Sequence, residues 1–345
     1  MNTLAAPSDR TAPPILSPPP VVDVIIAAWN RADTIERAIT SAARAKSVGL
    51  IVVVDDASTD DTALRAEILA ETLGGIVVLR QPRNGGPSAA RNRALAVCTA
   101  PWVAVLDGDD YLESERFTRL LALADDWDFV ADDLLQIAEG APPYTARALL
   151  NVDESWPERV ELAAFAAANI NRSGRRQREM GFLKPIMRRA FLLDHGLIYN
   201  PAVRLGEDYL LYAAALAAGA RFRLTAAAGY VAVLRPDSLS ARHSRQDLEA
   251  LLRGDRALAR LPTLTRPERR AVRRHCRHIE AKIQWLAAIE AVKQREAGRL
   301  LRALSGPPSV SLSVAGKLLE QVWLRGRATV HTLMERTCSW VARQA

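Results

Sequence analysis

Residues 21–45 read VVDVIIAAWNRADTIERAITSAARA, and two periodicities follow one another in this stretch. The first seven residues are mostly β-branched or apolar, over the usual length of a strand. Four apolar residues further on recur at helical spacing: Ile35, Ala38, Ile39 and Ala42. Asp33 precedes them with Glu36 three positions later, which is the spacing of a capping box. We therefore expect a buried strand that leads into a helix capped by Asp33.

The same order of strand and helix recurs along the first third of the chain. Apolar runs predict further strands at 50–54, 75–79 and 102–106. Helices are predicted after the segment STDDT (58–62) and at 88–97 and 114–124. Alternating strands and helices form parallel sheets, and strands apolar on both faces are typical of a sheet covered on both sides. The sequence therefore predicts an α/β fold with a Rossmann-like, mostly parallel sheet flanked by helices.

Polar side chains follow three of these strands. Asn30 follows the first, Asp55 and Asp56 end the second, and a cluster of aspartates at 107–110 ends the fourth. In open α/β sheets, ligands bind outside the carboxyl ends of the strands. Three polar strand ends together therefore predict a ligand crevice.

The cluster after the fourth strand contains three carboxylates in four positions, Asp107, Asp109 and Asp110, within VLDGDDYL (105–112). Such crowded negative charge is explained by a bound cation, and aspartate oxygens suit Mg²⁺ or Mn²⁺. Neither GxxxxGK[ST] nor a GxGxxG after the first strand occurs in the sequence. These features favour a nucleotide diphosphate held through a divalent metal.

The net charge is +7, and arginines cluster at 172–178 and 266–277. Such clusters suit a phosphate-bearing substrate or an anionic membrane surface, or they are ordinary solvated helix faces. They lack interleaved aromatic residues, so no nucleic-acid partner is expected. Three widely spaced cysteines and the lack of any run of about 18 apolar residues predict a cytoplasmic chain without an integral anchor.

Five segments of the chain resemble, in the same order, the successive signatures of glycosyltransferase family 2: VIIAAWNRADTIERAITS, IVVVDDASTDDT, RNGGPSAARNRAL, VAVLDGDDYL and GEDYLL. The resemblance is closest to bacterial enzymes that build succinoglycan-type exopolysaccharides. It implies a GT-A fold, a nucleotide-diphosphate-sugar donor and a divalent cation, Mn²⁺ or Mg²⁺.

Composition and the resemblance together suggest a division of the chain. Residues 1–20 are rich in Pro, Ala and Ser and are expected to form a flexible leader. Residues 21–245 form the GT-A glycosyltransferase domain, with a nucleotide-binding half at 21–135 and an acceptor half at 136–245. Residues 246–345 form a basic helical C-terminal region, in which 315–340 has the composition of an interfacial helix.

By the same resemblance, several residues contact the donor. Asp56 would accept from the ring N–H of uracil, while Asp55 would contact the ribose or only shape the turn. Gly85 and Gly86 would allow close backbone approach at a helix N-terminus. Arg91 would contact the nucleotide or form a structural ion pair with the acidic loop.

The resemblance assigns the metal and the base as well. Asp109 is the expected metal ligand, and Asp107 a second ligand or a contact of the ribose. Asp110 either belongs to this site or caps the following helix. Asp208 is the expected catalytic base, and Glu207 would position it or the acceptor.

Further residues are assigned with an alternative for each. Asn30 would lie in the donor site, and Trp29 would stack on the base or pack against the protein. His243 would reach the donor diphosphate from a loop, or lie on the surface. Lys184 and Arg188 would line the acceptor side.

The resemblance thus implies a metal-dependent, inverting glycosyltransferase at the inner membrane face. It would move one sugar, by analogy glucose, from a UDP-sugar to a saccharide, in particular a lipid-linked oligosaccharide. Single transfer is favoured because the QxxRW motif of processive relatives is missing. The alternative is a non-catalytic nucleotide-sugar sensor or scaffold with a basic partner-binding tail.

Overall fold

The computed structural model describes residues 21–153, 156–170, 179–235, 244–304 and 316. The strands in chain order are β1 (Val22–Ala28), β2 (Val48–Asp55), β3 (Ile76–Arg80), β4 (Trp102–Asp107), β5 (Tyr111–Leu112), β6 (Phe129–Asp132), β7 (Leu135–Ala138), β8 (Arg147–Ala148), β9 (Ile186–Arg188), β10 (Phe222–Thr225) and β11 (Tyr230–Leu234). The helices are α1 (Ile35–Arg44), α2 (Thr62–Leu73), α3 (Pro87–Leu95), α4 (Arg116–Leu121), α5 (Leu162–Ala168), α6 (Arg189–Asp194), α7 (Glu207–Ala217), α8 (Arg245–Leu258), α9 (Arg266–Gln294) and α10 (Ala297–Leu304).

The main sheet has the strand order β10-β6-β9-β4-β1-β2-β3. Its pairs are parallel except those of β9, which runs antiparallel to both β4 and β6. The central strands are buried along most of their length, as expected for apolar strands covered by helices on both faces. The predicted mostly parallel α/β sheet is confirmed.

The predicted start of α1 is wrong by one residue. Thr34, not Asp33, occupies the N-cap position, and no side chain caps the helix. Asp33 instead accepts a hydrogen bond from Arg235 at 2.6 Å. A distant ion pair therefore replaces the expected local capping box.

A second, smaller sheet with the order β5-β11-β7-β8 was not predicted. Its β11 pairs antiparallel with β5, directly after the acidic loop. This pairing places Tyr230 beneath the loop, where its hydroxyl accepts from the backbone N–H of Asp107 at 3.1 Å. The small sheet therefore supports the loop that follows β4.

Helices α8 and α9 pack onto the same hydrophobic core as the sheet. Leu248 of α8 and Val272, Cys276 and Ile279 of α9 are buried within it. Each of the two helices begins with a complete capping box, at Ser244 and at Thr265. No helix in the described ranges is both long and apolar enough to cross a bilayer. The predicted leader and most of the segment at 305–345 lie outside the described residues.

Candidate active site

The polar strand ends meet at one edge of the main sheet. Strand β1 lies between β2 and β4, with Ala28 opposite Asp55 and Ala27 opposite Asp107. The carboxyl ends of these strands therefore open onto a common crevice, as the strand order requires.

Asp56 organises the glycine loop that precedes α3. Its Oδ1 accepts from the N–H of Gly85 at 2.7 Å and from Nε2 of Gln81 at 2.6 Å, and its Oδ2 accepts from the N–H of Gly86 at 2.7 Å. The side chain is buried. Asp56 thus fixes the course of the loop, and its predicted contact with uracil would use the remaining lone pair of Oδ2.

Asp55 carries an unused acceptor. Its Oδ1 is buried and has no hydrogen-bond partner among the described residues, while Oδ2 accepts from the N–H of Ser58 at 3.3 Å. Beside it, the side-chain oxygen of Asn30 accepts from the N–H of Thr59 at 2.8 Å, which joins the end of β1 to the loop after β2. A buried acceptor without a donor costs free energy, so Asp55 Oδ1 is suited to a donor from a ligand.

Arg204 covers the glycine loop and was not identified from the sequence. Its Nη2 donates to the side-chain oxygen of Asn84 at 2.8 Å. A Cβ added at Gly86 would lie 3.2 Å from the Arg204 side chain. A single arginine in a distant loop leaves no local sequence signal, because only the tertiary fold brings it here.

Asp107 forms two ion pairs at the end of β4. Its Oδ1 lies 2.8 Å from Nη2 of Arg91, and its Oδ2 lies 2.8 Å from Nζ of Lys184. Burial acts to raise the pKa of Asp107, but Lys184 and Arg91 outweigh it and hold that pKa well below its usual range. Because both oxygens contact cations of the protein, the role of Asp107 as a metal ligand stays a prediction.

Glu207 and Asp208 form the first turn of α7 and lie against the same two cations. Nη1 of Arg91 is 2.6 Å from Oε1 of Glu207 and 3.0 Å from Oδ1 of Asp208. Nζ of Lys184 is 2.7 Å from Oδ2 of Asp208. Burial raises the pKa of Glu207, although Arg91 opposes this shift. The structural ion pair expected as an alternative for Arg91 is therefore present.

Asp109 is the carboxylate best placed for a cation. Its side chain is 19% exposed, and Nη2 of Arg31 lies 3.4 Å away, longer than a good charge-assisted hydrogen bond. Burial, followed by the charge of Asp107, raises the pKa of Asp109. A bound divalent cation would oppose both effects, because it stabilises the ionised carboxylate. No group of three or more His, Cys, Asp or Glu in the described residues is arranged to hold a metal. The residues fit a cation held by one or two carboxylates and otherwise by diphosphate and water.

Asp110 does not cap the following helix. Helix α4 begins only at Arg116, and the Asp110 carboxylate turns instead toward the small sheet. It accepts from the hydroxyl of Tyr230 and from the N–H of Val233, both at 2.8 Å. Asp110 therefore anchors the acidic loop to β11, and the capping alternative is wrong.

The remaining predicted residues fall in different places. Trp29 is 42% exposed at the rim of the crevice, so it does not pack in the core. Arg188 lies away from the crevice, over the ring of Trp102 and against the carbonyl of Trp127. His243 lies outside the described residues.

Residues 23–185 match the family described as glycosyl transferase family 2. The chain is also 41% identical over 320 residues to the succinoglycan biosynthesis protein ExoU of Rhizobium meliloti, covering 92% of this chain and 90% of that protein. The chain belongs to glycosyltransferase family 2. Within this family it is also similar to the succinoglycan biosynthesis protein ExoO of the same organism, at 33% identity over 89% of this chain and 88% of that protein.

Solved structures of other proteins share the fold. S. aureus TarS 1-349 in complex with UDP-GlcNAc matches with a TM-score of 0.56 at 18% identity, over 86% of this chain and 92% of that one. The mannosyltransferase PcManGT from Pyrobaculum calidifontis, in complex with GDP-Man and Mn²⁺, matches with a TM-score of 0.54 at 18% identity, over 91% of this chain and 84% of that one. These likenesses confirm the GT-A-type architecture of the family 2 chain.

Proposed function

We propose that this family 2 glycosyltransferase acts in exopolysaccharide biosynthesis and transfers one sugar from a UDP-sugar to a saccharide acceptor with inversion at the anomeric carbon. The observation that carries the proposal is that Arg91 and Lys184 join Asp208 to Asp107, two residues before the partly exposed carboxylate of Asp109. A metal-dependent inverting transfer uses a cation at the leaving diphosphate and a base at the acceptor, the roles that we propose for a cation bound by Asp109 and for Asp208.

Asp208 is the proposed general base. It takes the proton of the acceptor hydroxyl while that oxygen attacks the anomeric carbon from the face opposite the nucleotide diphosphate. Each carboxylate oxygen has a second lone pair, so a hydroxyl can bind Asp208 without displacing Arg91 or Lys184. Glu207 holds Arg91 in place from the same helix turn.

Asp109 is the proposed ligand of Mn²⁺ or Mg²⁺, with Asp107 beside it. The cation, when bound, supplies stabilisation of the negative charge on the departing diphosphate. Asp55 and Asp56 are proposed to bind the ribose and the base, since Asp55 Oδ1 lacks a donor within the described part of the chain.

The similar proteins support the choice of donor and pathway. ExoU and ExoO are named for succinoglycan biosynthesis, and the TarS structure contains UDP-GlcNAc. The PcManGT structure contains GDP-Man and Mn²⁺, which supports a metal-dependent donor site. We propose UDP-glucose as the donor by analogy.

We further propose that the acceptor is linked to a lipid and that the enzyme binds an anionic membrane surface. Helix α9 carries an exposed basic stripe, Arg266, Arg270, Arg273 and Arg277. Their spacing of four, three and four positions places all four on one face of the helix. Anionic headgroups attract such a face by about 1 kcal/mol per basic residue near the surface. Sedimentation with phosphatidylglycerol vesicles, compared with phosphatidylcholine vesicles, tests this surface.

Calorimetric titration of UDP-glucose, UDP-galactose, GDP-mannose and UDP, each with and without Mn²⁺, tests the donor site. We expect manganese-dependent binding of UDP and its sugars that is lost in Asp109→Ala. The matched control is Asp126→Ala, because the Asp126 side chain is 89% exposed and remote from the crevice.

Asp208→Asn tests the proposed base. It should bind UDP like the wild type but should not transfer radiolabelled sugar to a lipid extract. Binding without transfer by the wild type would favour the sensor alternative, and the lack of any nucleotide binding would contradict both.

A further inference from the structure

A buried polar network lies behind the candidate active site, where α7, α8 and α9 meet. The hydroxyl of Tyr209 donates to Oδ1 of Asp255 at 3.0 Å, and Nδ1 of His275 lies 2.5 Å from Oδ2 of the same carboxylate. Asp255 is fully buried, and Tyr209 and His275 are almost so. The rings of Tyr209 and His275 are 4.3 Å apart. Because a carboxylate only accepts hydrogen bonds, the Nδ1 of His275 carries the hydrogen.

The network begins one residue after the proposed base. Successive residues of an α-helix point about 100° apart around its axis, so Asp208 and Tyr209 face different sides of α7. Asp208 contacts Arg91 and Lys184 in the crevice, whereas Tyr209 contacts Asp255 in the interior. Fixing the Tyr209 side chain therefore also fixes the rotation of the helix turn that carries Asp208.

This first turn of α7 has little intrinsic restraint. Its N-cap is Gly206, at φ 74°, which has no side chain to accept a hydrogen bond from the first N–H groups of the helix. Uncapped first turns are the part of a helix most prone to fraying. The position of Asp208 therefore depends on the contacts that its turn makes with other elements.

Helix α8 supplies several of those contacts through close approaches at two glycines. A Cβ added at Gly206 would lie 3.0 Å from the Leu251 side chain of α8. A Cβ added at Gly254 of α8 would lie 2.5 Å from the Leu210 side chain of α7. Helix α8 is thus fitted against the start of α7 on both sides of the Tyr209–Asp255 hydrogen bond.

We propose that Tyr209, Asp255 and His275 form a positioning network that holds Asp208 at the angle required for proton transfer, so that α8 and α9 belong to the catalytic unit. This inference rests on the proposed function, because it presupposes that Asp208 is the base. Burying a carboxylate and a histidine is an expensive way to stabilise a core, and apolar residues of similar volume are often as good or better. A role in orientation explains why polar groups occupy this place.

Tyr209→Phe tests the network with the smallest change, because it removes only the hydroxyl. We expect kcat for sugar transfer to fall about 10- to 100-fold, the usual effect of misplacing a catalytic group. The affinity for UDP with Mn²⁺ should change far less than kcat, because Asp55 and Asp56, the residues proposed to bind the nucleoside, lie at the end of β2. The transfer rate is divided by the concentration of UDP-binding sites, so that unfolded protein does not lower the value of kcat.

Tyr212→Phe is the matched control. Tyr212 is also buried in α7, one turn further along, and its hydroxyl has no hydrogen-bond partner among the described residues. Removing that hydroxyl should leave kcat unchanged. Equal kcat values for the wild type and Tyr209→Phe would overturn the proposal, and so would an equal loss of activity in both phenylalanine variants.

Substitutions of His275 provide an independent test through conservative rescue. His275→Asn retains an N–H donor near the position of Nδ1, whereas His275→Leu removes it. We expect the asparagine variant to retain most of the wild-type kcat and the leucine variant to resemble Tyr209→Phe. If both variants lowered the melting temperature alike while kcat per UDP-binding site stayed at the wild-type value, the network would be only structural. Failure of the proposed function is distinguishable, because then the wild type itself would show no transfer.

Discussion

Asp107 and Asp208 share one ammonium group: Nζ of Lys184 lies 2.8 Å from Oδ2 of the first and 2.7 Å from Oδ2 of the second. Arg91 joins the same two residues through their Oδ1 atoms, at 2.8 Å and 3.0 Å. The loop after β4 and the first turn of α7 are therefore linked twice. A displacement of the loop after β4 would therefore reach the proposed base through these two buried cations.

Lys184→Met should damage both stability and transfer. The negative charges of Asp107 and Asp208 hold the pKa of Lys184 above its usual value despite its burial, so its charge is fully present at neutral pH. Its loss leaves two carboxylates with Arg91 alone, which should lower the free energy of unfolding by about 3–5 kcal/mol. Urea unfolding and kcat measure the two effects.

Lys46→Met is the control for this substitution. Lys46 pairs with Glu115 at 2.6 Å, but its side chain is 65% exposed. Removal of an exposed pair should change the unfolding free energy by about 1 kcal/mol or less. A Lys184→Met protein as stable and active as Lys46→Met would show that the shared ammonium group is dispensable.

The main sheet could be predicted from sequence because its signals are local. The fourth strand, predicted at 102–106, is observed at Trp102–Asp107, and the helix predicted at 88–97 is observed at Pro87–Leu95. Long apolar runs and glycine turns specify such elements without reference to the rest of the chain. Once the strands were predicted, the residues at their carboxyl ends could be assigned to one crevice, because the carboxyl ends of parallel strands share one edge of the sheet.

The small sheet and the contacts across the fold could not be predicted in this way. Strands β5 and β8 have two residues each, too few for a periodic pattern. Tyr230 beneath the acidic loop and Asp255 behind α7 acquire their roles only from partners at least 20 positions away. Asp33 failed as a cap for the same reason, because a distant arginine competes for its carboxylate.

Arg31→Gln should strengthen binding of the metal. The Arg31 guanidinium is a cation 3.4 Å from Asp109 Oδ2, so it competes with Mn²⁺ for that carboxylate. A pair of this length and exposure contributes roughly 0.5–1 kcal/mol, and its removal should tighten Mn²⁺ binding to the UDP-saturated enzyme about 2- to 5-fold. Calorimetry measures this affinity for Mn²⁺.

Arg65→Gln is the control, because Arg65 pairs with Glu36 on the surface, and it should bind Mn²⁺ like the wild type. Weaker Mn²⁺ binding by Arg31→Gln than by the wild type would contradict competition between Arg31 and the metal.

Asp110→Asn should change how stability depends on pH. Burial, reinforced by the charges of Asp107 and Asp109, raises the pKa of Asp110 from 3.8 to about 8. The folded state thus holds a proton that the unfolded chain releases at lower pH. The resulting stabilisation is fully present below the pKa that Asp110 has in the unfolded chain. It is lost as the pH rises toward the higher pKa that Asp110 has in the folded protein.

Asparagine does not titrate, so the stability advantage of the wild type over Asp110→Asn should shrink between about pH 5 and about pH 8. Urea unfolding in the presence of EDTA at several pH values measures this difference without bound metal. Asp126→Asn, at an exposed carboxylate, should run parallel to the wild type over the same range. A constant difference between Asp110→Asn and the wild type would contradict the raised pKa.

Gly86→Ala should weaken donor binding beyond what backbone strain explains. Gly86 has φ 84° and ψ 170°, and Gly74 at the end of α2 has nearly the same conformation, φ 69° and ψ 167°. Alanine at either position should cost about 1–3 kcal/mol of stability. Only at Gly86 would the new methyl group meet a neighbour, the Arg204 side chain at 3.2 Å, whereas nothing lies within 4 Å at Gly74. The loop held by Asp56 would then shift, and UDP affinity should fall about 10-fold, or about 1.4 kcal/mol.

Calorimetry with UDP and Mn²⁺ on both variants separates backbone strain from the contact with Arg204. Gly74→Ala should lose stability and retain wild-type affinity for UDP, whereas Gly86→Ala should lose both.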